Sequence, residues 1–177
     1  VISVPAVPYG ITFGAVGYVP LSSFNEHAVT ELERTIKDLT ASGAKGIILD
    51  LRNNPGGILE QSLTISNLFL RPGAEIASVR SRTGESQSYV ARAQPTLPTR
   101  PLIVLTDERP ASPSEIVAGA LQDHDRAVIV GQTSFGKGLV QSVFNLDGGY
   151  ALKLTTAKWF TPSGRSIQRE RKYIDGQ

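Results

Sequence analysis

The stretch ASPSEIVAGALQDHDRAVIVGQTSFGKGLVQ, residues 111–141, decides how this chain is read. Ser112 stands where a helix N-cap belongs, with Pro113 at the first helical position and Glu115 at the capping-box position. The spacing predicts a helix from Pro113 to about Asp123, with Ile116, Val117, Ala120 and Leu121 turned inward. A short apolar strand, Ala127–Val130, follows, and then a lysine flanked by glycines, Gly136-Lys137-Gly138. No other segment sets a candidate nucleophile and a candidate base in so specific a frame.

A serine hydroxyl is a weak nucleophile until a base takes its proton, and a lysine amine is a base only when neutral. Burial among apolar groups disfavours the ammonium form. Phe135, Leu139 and Val140 lie close to Lys137 in sequence, so a partly apolar pocket is expected. A helix start also presents backbone N–H groups and a dipole that favour developing negative charge at Ser112. Ser-Pro-Ser-Glu is equally a good structural cap, and the two readings are compatible.

Two similar units lie upstream. Leu102–Thr106 is a short apolar run leading through residues 107–111 to Ser112. Gly46–Leu51 is another, which a strand buried on both faces explains. It enters the turn Arg52-Asn53-Asn54-Pro55-Gly56-Gly57, and helical spacing resumes from Ile58 to Leu70. The glycines either supply dihedrals that a strand-to-helix turn requires or aim N–H groups at an anion. The turn lacks the frame of a phosphate-binding loop. If the three strands run parallel, their carboxyl ends share one edge, where ligands bind in open α/β sheets. That edge would gather Gly56, Gly57, Ser112 and Lys137 into one crevice.

The remaining segments supply scaffold. Residues 1–24 read as short strands or a hairpin (Val1–Val4, Ile11–Phe13, Ala15–Pro20), and Asn25–Ser42 as an amphipathic helix stopped by Gly43. Glu75–Arg80 and Gln87–Ala91 read as an exposed hairpin, followed by a proline-containing loop to Arg100. Leu139–Leu146 and Tyr150–Phe160 read as antiparallel strands around Asp147-Gly148-Gly149, then a turn at Thr161–Arg165 and a polar, frayed tail from Arg169. The 177 residues suit one domain, with 40% hydrophobic and 19% charged residues and a net charge of +2. That excess, partly in Arg165, Arg169, Arg171 and Lys172, is too small to argue for nucleic acid. The chain has no cysteine, and His27 and His124 are its only histidines, which argues against disulfides, thiolate metal sites and multi-histidine metal centres. His124 reads as a helix-end residue.

Four stretches together resemble the carboxyl-terminal processing (tail-specific) serine peptidases: GIILDLRNNPGG at 46–57, ASPSEIVAGA at 111–120, VGQTSFGKGLVQ at 130–141 and TPSGRSIQ at 161–168. Their order and spacing match as well. The resemblance implies an α/β Clp-protease/crotonase-like fold of stacked ββα units with a mostly parallel central sheet, and a Ser–Lys dyad that uses no cofactor and no metal. It makes Ser112 the nucleophile, chosen over Ser114 by the family's serine-to-lysine spacing, and Lys137 the general base. Gln141 matches the glutamine that orients the lysine. The Gly56-Gly57 turn matches the oxyanion site, with Gly57 as the backbone donor.

Two departures from the family pattern stand out. The peptide-binding PDZ domain that usually precedes this core has no place within the 177 residues, so the chain reads as a single catalytic-core domain. The residue after the nucleophile is usually alanine and gives the second oxyanion N–H; here it is Pro113, which has none. Unless the Ser114 N–H or a water substitutes, a slow peptidase is expected. The leading expectation is an endopeptidase cutting near the C-termini of unfolded or tailed polypeptides. The alternative is a silent module that binds peptides or small ligands on the same fold. The resemblance implies polypeptide partners with flexible C-termini and a bacterial envelope or periplasmic location, and it leaves a homo-oligomer open.

Overall fold

A computed structural model describes residues 4–96 and 100–170 of the chain. Val1, the proline loop at 97–99, and Arg171, Lys172 and the rest of the expected tail lie outside the described residues. The strands are β1 (Ile11–Phe13), β2 (Val16–Pro20), β3 (Gly46–Asp50), β4 (Glu75–Ser81), β5 (Ser86–Val90), β6 (Leu102–Thr106), β7 (Val128–Gly131), β8 (Leu139–Asn145) and β9 (Ala151–Phe160). The helices are α1 (Ala28–Ala41), α2 (Leu59–Asn67) and α3 (Pro113–Asp123), and a single 3-10 turn at Asp147–Gly149 joins β8 to β9.

The first sheet has the order β1-β2-β3-β6-β7. Only the β1–β2 hairpin is antiparallel; β2, β3, β6 and β7 run parallel, as the apolar runs implied. Ile47, Leu49, Leu102 and Val104 are buried on these central strands, and Leu49 and Val104 exclude solvent completely. In α1 the spacing Ala28, Leu32, Ile36, Leu39 forms the buried stripe that the sequence suggested. Gly43 closes it with a positive φ of 97° and an N–H bonded to the Thr40 carbonyl at 3.0 Å. Phe24, Leu32, Leu49, Ile65, Phe69 and Leu121 join the helices to the sheet in one continuous core.

The second sheet, β5-β4-β9-β8, is wholly antiparallel and corrects one expectation. The 74–91 region is not a detached exposed hairpin: Ile76, Ala77 and Ser78 of β4 are buried, and β4 pairs with β9 through Val79–Trp159 and Ser78–Phe160. Local alternation revealed both strands but carried no information on a partner so distant in sequence. The turn at 161–165 fastens this sheet to α3. Its Ser163 N–H donates to Asp123 Oδ2 at 3.0 Å, and the Arg165 guanidinium donates to Asp123 Oδ1 at 3.1 Å and to Gln122 Oε1 at 2.8 Å. The chain is also anchored further on than expected: Arg169 donates from its N–H to the Gly136 carbonyl and from its guanidinium to the Ser134 carbonyl.

Candidate active site

The turn after β3 is organised by Asn54, which is fully buried. Its amide donates to the Leu21 carbonyl at 2.7 Å, its side-chain oxygen accepts the Gly56 N–H at 2.9 Å, and its own carbonyl accepts the Ser114 hydroxyl at 3.0 Å. One buried residue thus ties the glycine turn, through its side chain, to the first turn of α3, through its main-chain carbonyl. Gly56, at φ 98°, leaves no space for a side chain: a Cβ there would stand 2.7 Å from the Ala111 carbonyl and 2.8 Å from Pro113 Cδ. Gly57, at φ 147°, is clamped the same way against the Phe24 carbonyl. The Gly56 N–H is consumed by Asn54, so Gly56 serves close packing and does not offer an oxyanion donor. The Gly57 N–H has no acceptor among the described residues and borders the same cavity as Ser112.

Ser112 sits at the N-cap of α3 with φ 54° and ψ −114°, a backbone region that side chains rarely occupy. The hydroxyl meets the backbone carbonyl of Lys137 at 3.5 Å.

Glu115 does more than its place in the capping pattern announced. Only 5% exposed, it accepts four hydrogen bonds: Oε2 takes the N–H of Ser112 and of Lys137, both at 2.9 Å, and Oε1 takes the Ser134 hydroxyl at 2.7 Å and the Gly136 N–H at 2.6 Å. A single carboxylate therefore holds the serine and the lysine segments in register. The Ser-x-x-Glu signature was the visible signal, and a helix cap explained it fully, so its second task stayed hidden.

Lys137 departs from expectation. It is exposed, and its side-chain nitrogen has no hydrogen-bond partner among the described residues. Phe135 points outward, 45% exposed, so only part of the apolar sequence around the lysine surrounds it in space. Apolar surface does lie beside it: a cavity of about 180 Å³ is bordered by Gly57, Ser112 and Lys137, with walls from Leu59, Ile116, Leu139, Trp159 and Ile167. Gln141 lies on β8 on the same strand face as Leu139, exposed, with no hydrogen bond to Lys137. Pro113 is buried, and the Ser114 N–H donates to the Ala111 carbonyl at 3.3 Å, so it is not a free replacement donor.

A second polar cluster occupies the same sheet edge. Arg52 grips Asp50 with Nε at 3.0 Å and Nη2 at 2.6 Å, and the Tyr18 hydroxyl donates to Asp50 Oδ2 at 2.6 Å. Burial alone would raise the Asp50 carboxyl, but the hydrogen bonds from Arg52 and Tyr18 outweigh it and hold the group below the ordinary carboxylate range. Burial first, and then the bond to Asp50, push the Tyr18 hydroxyl up to about 12. His124 closes the far end of α3, donating from Nε2 to the Glu75 carbonyl at 2.6 Å. No group of three or more His, Cys, Asp or Glu is placed to hold a metal ion among the described residues.

The model of peptidase family S41 matches residues 15–175. A carboxy-terminal-processing protease of Bartonella bacilliformis is 45% identical over 173 residues, which is 95% of this chain and 39% of that protein. The carboxy-terminal processing protease CtpA of Bacillus subtilis is 41% identical over 155 residues, 88% of this chain and 33% of that protein. Among solved structures, a photosystem II D1 C-terminal processing protease superposes with a TM-score of 0.85 at 30% identity, covering 94% of this chain and 46% of that one. The chain thus spans about two-fifths or less of these two curated relatives. With the serine, the lysine and the glycine turn meeting at one edge of the fold that the resemblance implied, the chain belongs to peptidase family S41.

Proposed function

We propose that this chain is the catalytic core of a serine endopeptidase that cuts polypeptides near flexible C-termini. The observation that carries the reading is the convergence of Ser112, Lys137 and the unengaged Gly57 N–H on one small apolar cavity. In this mechanism the neutral Lys137 amine takes the Ser112 proton and the serine oxygen attacks the scissile carbonyl. The Gly57 N–H holds the developing oxyanion. The lysine then returns the proton to the leaving amine, and water, deprotonated by the same lysine, releases the acyl group. The Lys137 side chain must swing toward Ser112 and lose water to act, which an exposed lysine with no side-chain partner among the described residues is free to do when a substrate covers it. A cavity of about 180 Å³ with aliphatic and indole walls suits a small apolar side chain next to the scissile bond. Gln141, four residues along β8, is the candidate to orient the amine once it turns inward.

The second reading is a binding module on the same fold. Two observations favour it: Pro113 contributes no N–H, and Ser112 meets the carbonyl of Lys137, not its amine. The test is incubation with an unstructured protein beside Ser112→Ala, followed by mass spectrometry. Cleavage that disappears in the variant supports the peptidase, and a rate that climbs from neutral to alkaline pH supports a neutral lysine. Identical silence of both proteins, with the fold intact, supports the binding module. The bacterial envelope or periplasm, a gating peptide-binding domain elsewhere in the protein, and self-association belong to this proposal, on family resemblance.

A further inference from the structure

We infer that the outer edge of β8 is the surface on which a substrate main chain docks as an added strand, in register with Ser112. The argument rests on the hydrogen-bond alternation of the β8–β9 ladder. The Trp159 N–H donates to the Gly138 carbonyl at 2.8 Å, so the Gly138–Trp159 pair is a bonded one. The register Leu139–Lys158 makes the next pair a non-bonded one, whose N–H and C=O groups on Leu139 point away from β9. At the other end of the hairpin the Leu146 N–H donates to the Tyr150 carbonyl at 2.8 Å. Counting back through Asn145–Ala151, Val143–Lys153 and Gln141–Thr155, the same three β8 residues turn their main-chain groups outward. The register shift between Val140 and Gln141 places its extra residue on β9, so the outward set on β8 stays in phase.

Leu139, Gln141, Val143 and Asn145 therefore present a row of donors and acceptors along an edge that no strand covers among the described residues. The row is continuous with the site. Lys137, one step earlier in the same alternation, turns its N–H to Glu115 and its carbonyl to the Ser112 hydroxyl, on this same edge. A chain laid along β8 is thus delivered to the nucleophile. β8 carries no charged residue and no proline, the devices that natural edges use to repel a further strand. Leu139, which lines the cavity beside Ser112, lies at the start of the row. Main-chain pairing gives affinity with little demand on sequence, while the cavity reads one side chain. This inference builds on Ser112 as the reacting group but concerns binding, which can be measured without catalysis.

The test uses a labelled unstructured peptide and the Ser112→Ala chain, with binding read by fluorescence anisotropy. A series of peptides, each N-methylated at one amide, removes one donor at a time from the added strand. Affinity should fall about tenfold at every second position and stay near the parent value at those between. In a second arm, Val143→Pro removes one outward N–H and no bond to β9. Affinity for a long peptide should drop about three- to tenfold, while a peptide too short to reach Val143 is unaffected. Loss without a period of two, no binding of the parent peptide, or a dimer that Val143→Pro dissociates with no alternation in peptide binding would each overturn the inference. A parent peptide that binds with the alternation yet is never cut by the unaltered chain would uphold the strand edge and sink the peptidase reading instead.

Discussion

Glu115→Gln isolates the contact that joins the two halves of the site. The glutamine keeps the shape of the side chain but only one acceptor oxygen. If that oxygen takes the place of Oε2, it retains the Ser112 and Lys137 N–H groups, each now at 2.9 Å. The amide nitrogen then faces the Ser134 hydroxyl and the Gly136 N–H. The hydroxyl can rotate to accept, but the Gly136 N–H is left without an acceptor in a buried place. One stranded N–H costs about 1–3 kcal/mol, and the surviving bonds lose the assistance of the carboxylate charge. The sum is about 2–4 kcal/mol, which for a chain of this size lowers the melting temperature by about 5–15 °C. The opposite amide orientation strands two main-chain N–H groups and is worse. Because the lysine segment is placed by the same carboxylate, kcat should fall about 100-fold while KM changes little. Urea unfolding and steady-state kinetics read the two quantities separately. Unfolding within about 0.5 kcal/mol of the parent, together with unchanged kcat, would refute the claim that Glu115 holds serine and lysine in register.

Three other outcomes are expected. Pro113→Ala supplies an N–H beside Ser112, and on the proposed mechanism kcat should rise about 10- to 100-fold in the cleavage assay; no gain would mean the proline is not what limits turnover. Ser112→Gly should be about 1–3 kcal/mol more stable than Ser112→Ala in urea unfolding, because glycine occupies φ 54° without strain, and equal stabilities would remove strain from the account. The raised Tyr18 value means that the folded state keeps a proton which the unfolded chain gives up above about pH 10, so stability falls between pH 10 and about 12. Tyr18→Phe should flatten that part of the pH–stability curve and delete a late phenolate step in the ultraviolet titration.

The parallel strands were legible because Gly46–Leu51 and Leu102–Thr106 bury one face fully and keep the residues between partly covered, which writes an uninterrupted apolar run into the sequence. The helix at Pro113 was legible from its cap, and the meeting of Gly57, Ser112 and Lys137 followed from parallel topology alone. The second sheet was not, because its β4–β9 ladder joins segments with no local mark of each other. The environment of Lys137 was misread for a geometric reason. Gly136, at φ 84°, breaks the extended course before β8, and Phe135 ahead of it points outward while Leu139 joins Lys137 at the cavity, so nearness in sequence overstated the lysine's burial. The resemblance singled out Gly57 as the expected donor of the glycine pair but gave no physical reason; the buried Asn54 oxygen, which claims the Gly56 N–H, supplies one.

The anchoring of the lysine segment bears on when the site comes into being. Gly136 and Gly138 are held by Arg169 and by the Gln168 side chain, at 3.1 Å and 3.0 Å, and the Ile167 N–H fixes that segment to the Trp159 carbonyl at 3.0 Å. These residues leave the ribosome after Ser112, Glu115 and Lys137 have already emerged. Chains fold from the amino end as they are made. A growing chain can therefore build its parallel sheet and present its serine while the lysine strand is still unclamped. On the proposed pairing of Ser112 with Lys137, the site waits for the latest-made part of the described chain, so a half-finished molecule would carry both groups without the geometry to turn them on its neighbours.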